Sequence, residues 1–227
     1  MTRQRTERER MADWDGVAQR GVYKDVHQAE RDQLSDAAHR GDWPAVLAAV
    51  TKSPGLANTR RVGGRSGWAP LHQAAWHNAP AEVVQQLLDA GAWRTLRSTD
   101  GERPADVAVR FGRDALLPLL EPAPLHPVPE PDLRAMEHFL HALIRVRTEY
   151  YAVKTALVLP QVCVLTELPD AKLWFGVPGM YGGFGIRLEE AATAPRLRVT
   201  SHCRMVGYSG RTHHITPDSC VLVDSGW

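Results

Sequence analysis

The feature that most constrains how this chain folds is a pattern of residues that occurs twice. Residues 67–70 read Gly-Trp-Ala-Pro and residues 101–104 read Gly-Glu-Arg-Pro, so the two segments are 34 positions apart (101 − 67 = 34). A short apolar run follows each proline, and residues 83–88 continue the first unit with apolar positions at helical spacing. A repeat of this length predicts pairs of short helices that bury their apolar faces by stacking on one another.

The segment 67–92 resembles an ankyrin repeat, from its Gly-Trp-Ala-Pro-Leu-His-Gln-Ala-Ala opening to its closing Gly-Ala. Residues 34–50 are similar to a preceding unit. A following unit begins at residue 101 and is truncated at Pro118, because proline lacks a backbone donor. Over residues 33–121 the chain is therefore identified as a member of the ankyrin-repeat family, with about three units joined to a small C-terminal domain, as in some bacterial proteins. The resemblance implies an all-α array that binds a protein.

The resemblance also implies which side chains face that partner. They lie beside the turn glycine or at the end of the first helix of each unit, and they are His39, Arg40, Arg65, Trp68, Trp76, His77, Glu102, Arg110 and Phe111. Tryptophan and arginine dominate protein interfaces because they bury a large area and still offer a polar contact. In the alternative interpretation, the exposed aromatic residues pack against residues 12–32 or against the C-terminal half. His72 is expected to orient the turn by hydrogen bonding.

Shifts in composition divide the chain into four segments. Residues 1–32 are predicted to be a polar tail and a segment that caps the array, residues 33–121 the repeats, and residues 122–131 a linker stiffened by prolines. Residues 132–227 open with an amphipathic helix pattern over 132–153 and continue as strand-like runs, among them residues 161–168, separated by Pro or Gly. The predicted fold is an all-α ankyrin array followed by an α+β domain, in which one long helix packs on an antiparallel sheet.

The composition is that of an ordinary globular protein. With a net charge of +1 at pH 7 and 44% hydrophobic residues, nothing indicates a nucleic-acid partner. No apolar run reaches the length of a membrane span, and the first ten residues lack the apolar core of a signal peptide. Three cysteines are too few for a disulfide framework. These features predict a cytoplasmic protein without a membrane partner, and the Ala- and Arg-rich composition is typical of bacterial proteins.

The C-terminal half contains residues of the types that bind zinc, namely Cys203, His213, His214 and Cys220. They lack the closely spaced pairs that leave a turn together in structural zinc sites. His213 and His214 are also adjacent on a predicted strand, where neighbouring side chains point to opposite faces. The pattern therefore favours reduced cysteines and structural histidines, with a metal site as the alternative.

A hydrolase is the other possibility for the same half. Cys203 or Ser201 would be the nucleophile, one of the nearby histidines the base, and Glu167 or Glu189 the group that orients the base. No sequence motif fixes that geometry. Residues 176–185 are rich in glycine but lack the Lys-Ser/Thr ending of a phosphate-binding loop, so the pattern favours a hairpin.

Together these observations predict an adaptor or inhibitor that binds a protein partner through the concave face of the array. No cofactor is expected and no catalytic residue is assigned. The alternative is that the C-terminal domain is a small hydrolase-like, ligand-binding or metal-binding domain, with the array as its targeting scaffold.

Overall fold

The computed structural model of the protein describes residues 11–22, 24–149, 157–190, 194–203 and 209–226. These residues form two compact units. The helical unit contains Ala18–Ala123, and the sheet unit combines the residues up to Val17 with those from Pro124 onward. The sheet unit is therefore built from both ends of the chain.

Within its described residues, the helical unit contains six α-helices and two 3-10 helices. Proline is the first residue of α3 and of α5. Proline lacks a backbone N–H, and at this position an N–H would have no acceptor within the helix. Gly41 and Asn78 end α1 and α3, because their positive φ angles of 71° and 54° turn the chain out of the helix. The elements are α1 (Asp25–Arg40), α2 (Trp43–Lys52), α3 (Pro70–His77), α4 (Ala81–Asp89), α5 (Pro104–Arg110) and α6 (Leu117–Leu120), with 3-10 helices at Pro54–Asn58 and Asp114–Leu116.

The core of the helical unit surrounds α3, which packs against α1, α4 and α5. Ala74 and Ala75 are fully buried on α3, and their small side chains let the neighbouring helices approach closely. Leu71, Val84 and Leu87 fill the space around them. The C-terminal ends of α1 and α3 are in contact through His39, Trp76 and His77.

The sheet unit contains six strands and one long helix. The strands are β1 (Ala12–Asp13), β2 (Lys172–Val177), β3 (Gly182–Glu189), β4 (Arg196–Cys203), β5 (Ser209–Thr216) and β6 (Ser219–Asp224), and they lie in that order in one sheet. β1 is parallel to β2, and every later neighbour is antiparallel. The helix α7 (Glu130–Arg147) packs against β5, β6 and a 3-10 helix at Val162–Thr166.

One face of the sheet is buried from β2 to β5. Phe175 and Phe184 are paired across β2 and β3, with ring centroids 6.1 Å apart, and both are fully buried. Val199 and Ile215 continue this inner face on β4 and β5. The alternation of buried and more exposed residues along β4 follows from the period of two in a strand with one covered face.

The prediction of an all-α ankyrin array followed by a separate α+β domain is wrong. Across its described residues the chain is a mixed α/β protein with seven α-helices and one six-stranded sheet. β1 comes from the N-terminal segment and pairs in parallel with β2, and the backbone N–H of Trp14 donates to the carbonyl of Trp174 at 2.8 Å. A segment predicted as a tail and cap thus completes the sheet. The sheet is therefore mixed rather than antiparallel.

Local elements depart from the sequence predictions as well. The helices before residue 121 range from 16 residues in α1 to 4 in α6, so they do not form a regular repeat. The apolar run predicted as a strand over 161–168 is the 3-10 helix Val162–Thr166, all of whose residues are buried. The helix predicted over 132–153 is α7, which ends at Arg147, and residues 150–156 lie outside the described part of the chain.

Candidate interaction surface

The adjacent C-terminal ends of α1 and α3 are joined by a hydrogen bond between histidine and backbone. The Nε2 atom of His77 donates to the carbonyl oxygen of His39 at 2.9 Å. That carbonyl lies in the last turn of α1, where backbone oxygens have no intrahelical donor. His77 therefore satisfies a helix end and fixes α3 relative to α1.

Aromatic rings gather around this junction. The ring of His39 stacks on Trp76 with centroids 5.8 Å apart, and Trp76 meets Trp68 edge to face at 5.9 Å. His77 contacts Trp76 at 4.5 Å and Trp43 at 5.8 Å. Both Trp68 and Trp76 pack on the core of the helical unit and remain only half-buried. Each ring is therefore held in place on one side and faces solvent on the other.

His72 holds the segment that carries Trp68. Its Nδ1 atom accepts from the backbone N–H of Ala69 at 3.3 Å, so the proton of the neutral ring lies on Nε2, which donates to the carbonyl of Glu102 at 3.0 Å. Burial lowers the pKa of His72 to about 4, because water cannot solvate the charged ring there. The Trp68 ring stacks on His72 at 6.5 Å. A neutral, buried imidazole thus orients a half-buried tryptophan.

The end of α5 contributes the charged part of the surface. The guanidinium of Arg110 forms an ion pair with the Glu102 carboxylate at 3.0 Å and lies 4.9 Å from the centroid of the Phe111 ring. Phe111 is 40% exposed, a large fraction for a phenylalanine that also contacts a cation. We use the term aromatic surface for His39, Trp68, Trp76, Arg110 and Phe111.

The predicted contact residues fall into three groups. His39, Trp68, Trp76 and His77 form the ring cluster, and Glu102, Arg110 and Phe111 form the charged group at the end of α5. Arg40 and Arg65 are exposed and lie outside both sets of contacts. Sequence reasoning missed Trp43, which contacts His77 from the first turn of α2. Trp43 directly follows Asp42, which caps α2, and this position is the signal that could have indicated its contact with the end of α3.

Arginine is concentrated in the connection before α3. Arg60, Arg61 and Arg65 occur there, and residues 59–69 contain no acidic residue. Arg61 forms an ion pair with Asp36 of α1, whereas Arg65 is exposed near Trp68 in sequence. The connection itself therefore carries three positive charges and no negative one.

The candidate nucleophiles of the sheet unit face its core. Ser201 and Cys203 are buried on the inner face of β4, and the Cys203 thiol donates to the Met180 carbonyl at 3.3 Å. His202 lies between them in sequence and points to the outer face, where it stacks with Trp174 at 6.4 Å. The structure thus separates His202, the histidine nearest in sequence, from both nucleophiles. Glu189 is bound to Arg196 at 2.7 Å instead.

The four metal-ligand candidates are also divided between faces. His213 pairs with Val199 and Leu222 on the inner face, and His214 pairs with Arg198 on the outer face. Burial lowers the pKa of both histidines, with help from nearby arginines, and burial raises the pKa of the Cys220 thiol. In the described part of the chain no three His, Cys, Asp or Glu side chains are grouped so as to hold a metal ion.

Comparison with known proteins finds no family model that matches this chain and no matching curated protein. The ankyrin resemblance is therefore wrong as an assignment of family, since neither a family match nor a regular set of elements supports it. Of the helices in the described residues, none is both long and apolar enough to cross a membrane. The contacts of the aromatic surface are observed in the structure and do not depend on a family assignment.

Proposed function

We propose that the helical unit binds a protein partner through the aromatic surface and acts as an adaptor or inhibitor. The observation that carries this proposal is the pair of half-buried tryptophans, Trp68 and Trp76, in edge-to-face contact at 5.9 Å. Tryptophan is the residue type most enriched among energetically dominant interface positions. Two such rings side by side at the solvent boundary are typical of a recognition surface.

A second argument for this function is that the rings of the aromatic surface are held in place before a partner binds. His72 holds the Trp68 segment by two hydrogen bonds, and His39 stacks on Trp76. Rings already fixed in the free protein lose little conformational freedom on binding, so more of the contact energy appears as affinity. The rings therefore suit rapid docking without rearrangement.

The charges favour a partner with an acidic rim around an apolar centre. Arg40 and Arg65 are exposed and lie near His39 and Trp68 in sequence, and Arg110 is half-exposed while paired with Glu102. Exposed arginines at the rim of an interface raise the association rate of an oppositely charged partner more than the final affinity. We place this interaction in the cytoplasm, a location supported by three cysteines that are not joined in disulfides.

A combined Arg110→Glu and Phe111→Ser change is expected to weaken partner binding by about 2 kcal/mol, or roughly 30-fold in Kd. Both side chains are exposed at the end of α5, so the change removes contacts with little cost to the core. The full chain would be used to capture proteins from a lysate of its source cells. The captured protein would then be purified and its Kd measured by calorimetry against both forms.

The matched control is Tyr181→Ala, which removes an aromatic side chain that is 71% exposed in the sheet unit. We expect this variant to bind like the wild type. Equal binding by the wild type and the double variant would contradict the proposal. So would a loss of binding caused by Tyr181→Ala alone, because it would move the interface to the sheet unit.

A further inference from the structure

The outer face of the sheet carries a row of basic residues that crosses four strands. Residues directly opposite one another on neighbouring strands share a face, and the pairing register links each member of the row to the next. The row consists of Lys172 on β2, Arg187 on β3, Arg198 on β4 and His214 on β5. Arg198 is exposed and the other three are half-buried, so solvent reaches every member. We use the term basic row for these four residues.

The basic row places like charges directly opposite one another, which destabilises a sheet. Lys172 faces Arg187, and Arg187 faces Arg198, so two such contacts occur in succession. The chain does not lack acidic residues, since 26 aspartates and glutamates accompany 27 lysines and arginines. The next row of the same face has opposite charges instead, with Glu189 bound to Arg196 at 2.7 Å. The fold itself therefore does not require the basic row.

The positive charge of this face is not balanced locally. Lys172 and Arg198 have no ion-pair partner among the described residues. Burial lowers the pKa of His214, and Arg196 and Arg198 lower it further. Glu189 acts on His214 in the opposite direction, but its carboxylate is already bound to Arg196. An anionic group would therefore find unpaired positive charge on this face.

We propose that the basic row binds an acidic helix of a protein partner. Charge complementarity selects an anionic occupant, and the spacing of the row selects a helix. Neighbouring strands are about 4.8 Å apart, so the row extends over about 14 Å. Residues three or four apart on a helix have Cβ atoms about 5–6 Å apart, and carboxylates at positions 1, 4, 8 and 11 span about 15 Å. Four carboxylates on one side of an extended segment would span about 20 Å, which is too long for the row.

The row ends on an apolar residue, which gives the partner helix a second requirement. Val221 of β6 is paired with His214 and is 52% exposed. A complementary helix therefore has carboxylates along one side and, one turn further on, an apolar side chain that covers Val221. The basic row belongs to the sheet unit, whereas the aromatic surface belongs to the helical unit. The inference thus adds a second docking surface to the proposed adaptor and does not depend on the first.

Titration of the full chain with a synthetic peptide tests this proposal. The probe is an alanine-rich helix with glutamates at positions 1, 4, 8 and 11 and a leucine at position 15, and binding is followed by NMR chemical shifts at about 50 mM salt. We expect a Kd below about 1 mM, the affinity that four exposed ion pairs supply, with the largest shifts in the basic row. Raising the salt to about 500 mM should weaken binding at least tenfold, because exposed charges are then screened.

The variant Arg198→Glu is expected to weaken this binding at least tenfold. It reverses the exposed charge in the middle of the row, and a glutamate between Arg187 and His214 also relieves their repulsion, so the Tm should not fall. The matched control is Arg211→Glu, which changes the net charge by the same amount. Arg211 is likewise exposed on the sheet but is paired with Ser201 on the inner face. We expect this control to bind like the wild type.

Two further probes identify the occupant. One is a peptide of the same composition with glutamates at alternate positions, which share one side only in an extended chain. The other is a thymidine oligonucleotide that carries the same four negative charges. We expect both to bind at least fivefold more weakly than the helical peptide. Tighter binding of either probe, no shifts at about 2 mM helical peptide, or equal binding by Arg198→Glu and the wild type would overturn the proposal.

Discussion

Replacing Gly183 by alanine is expected to destabilise the sheet unit by about 3 kcal/mol. A Cβ atom at this position would overlap the carbonyl oxygen of Phe175 and come within 2.9 Å of the Gly176 Cα atom. Both neighbours are backbone atoms of β2, which is paired to β3 along its whole length, so neither can move without breaking the ladder. Urea unfolding combined with amide hydrogen exchange of β2, β3 and β4 would measure the effect.

Gly185 is the matched control, because it lies two residues further along the same strand. Its Cβ would meet only the terminal methyl of Met11 at 3.6 Å and the Thr200 carbonyl at 3.9 Å, which are ordinary contact distances. Gly185→Ala is therefore expected to change the free energy of unfolding by less than about 1 kcal/mol. Similar losses for both variants would show that the close approach of β2 to Gly183 does not constrain the sheet.

Most of the helices could be predicted from the sequence, whereas the way the sheet is completed could not. Apolar spacing along residues 133–144 and the prolines that begin α3 and α5 are local signals, so they indicate helices without any knowledge of the tertiary structure. β1 has two residues and no alternation, and its partner β2 lies far away in sequence. Only tertiary pairing creates such a strand, so neither periodicity nor propensity predicts it.

Two further errors have physical reasons. The apolar run at residues 162–166 is buried on all sides, and periodicity alone cannot distinguish a buried strand from a buried helical turn. There, the Thr166 hydroxyl donates to the Cys163 carbonyl at 2.7 Å and satisfies a backbone group that a strand would have paired in a ladder. The glycine-rich run 176–185 predicts a hairpin connection, but its Gly182 and Gly183 begin β3, because glycine allows the backbone of β2 and β4 to approach closely.

The candidate surface was only partly accessible from sequence. Trp76 and Arg110 each lie six residues after the proline that begins their helix, so their shared position indicates a shared side of the helical unit. The contacts that orient them depend on distant residues. His39 reaches Trp76 from α1, and Glu102 accepts from His72 through its backbone. The sequence identifies the aromatic residues, but their contacts with one another depend on how the helices pack.

Acidification from pH 7 to pH 4 is expected to lower the free energy of unfolding of the helical unit by about 3 kcal/mol through His72 alone. Burial lowers the pKa of His72 to about 4, whereas an unfolded histidine titrates near 6.5. Between these values the unfolded chain binds a proton that the folded chain does not, so stability rises with pH. The loss therefore begins as pH falls below 6.5 and levels off near pH 4. Each pKa unit corresponds to about 1.4 kcal/mol.

The comparison that isolates this effect is with His72→Gln. Glutamine offers both a donor and an acceptor but does not titrate, so the variant retains every other pH-dependent group and lacks only this one. Urea unfolding at several pH values, followed by amide exchange in α3 and α5, gives the difference in free energy between the two proteins. This difference should change by about 3 kcal/mol between pH 6.5 and pH 4 and stay constant above pH 7. Parallel curves for the two proteins would mean that the folded protein admits a proton to His72, and that the ring is not held neutral beneath Trp68.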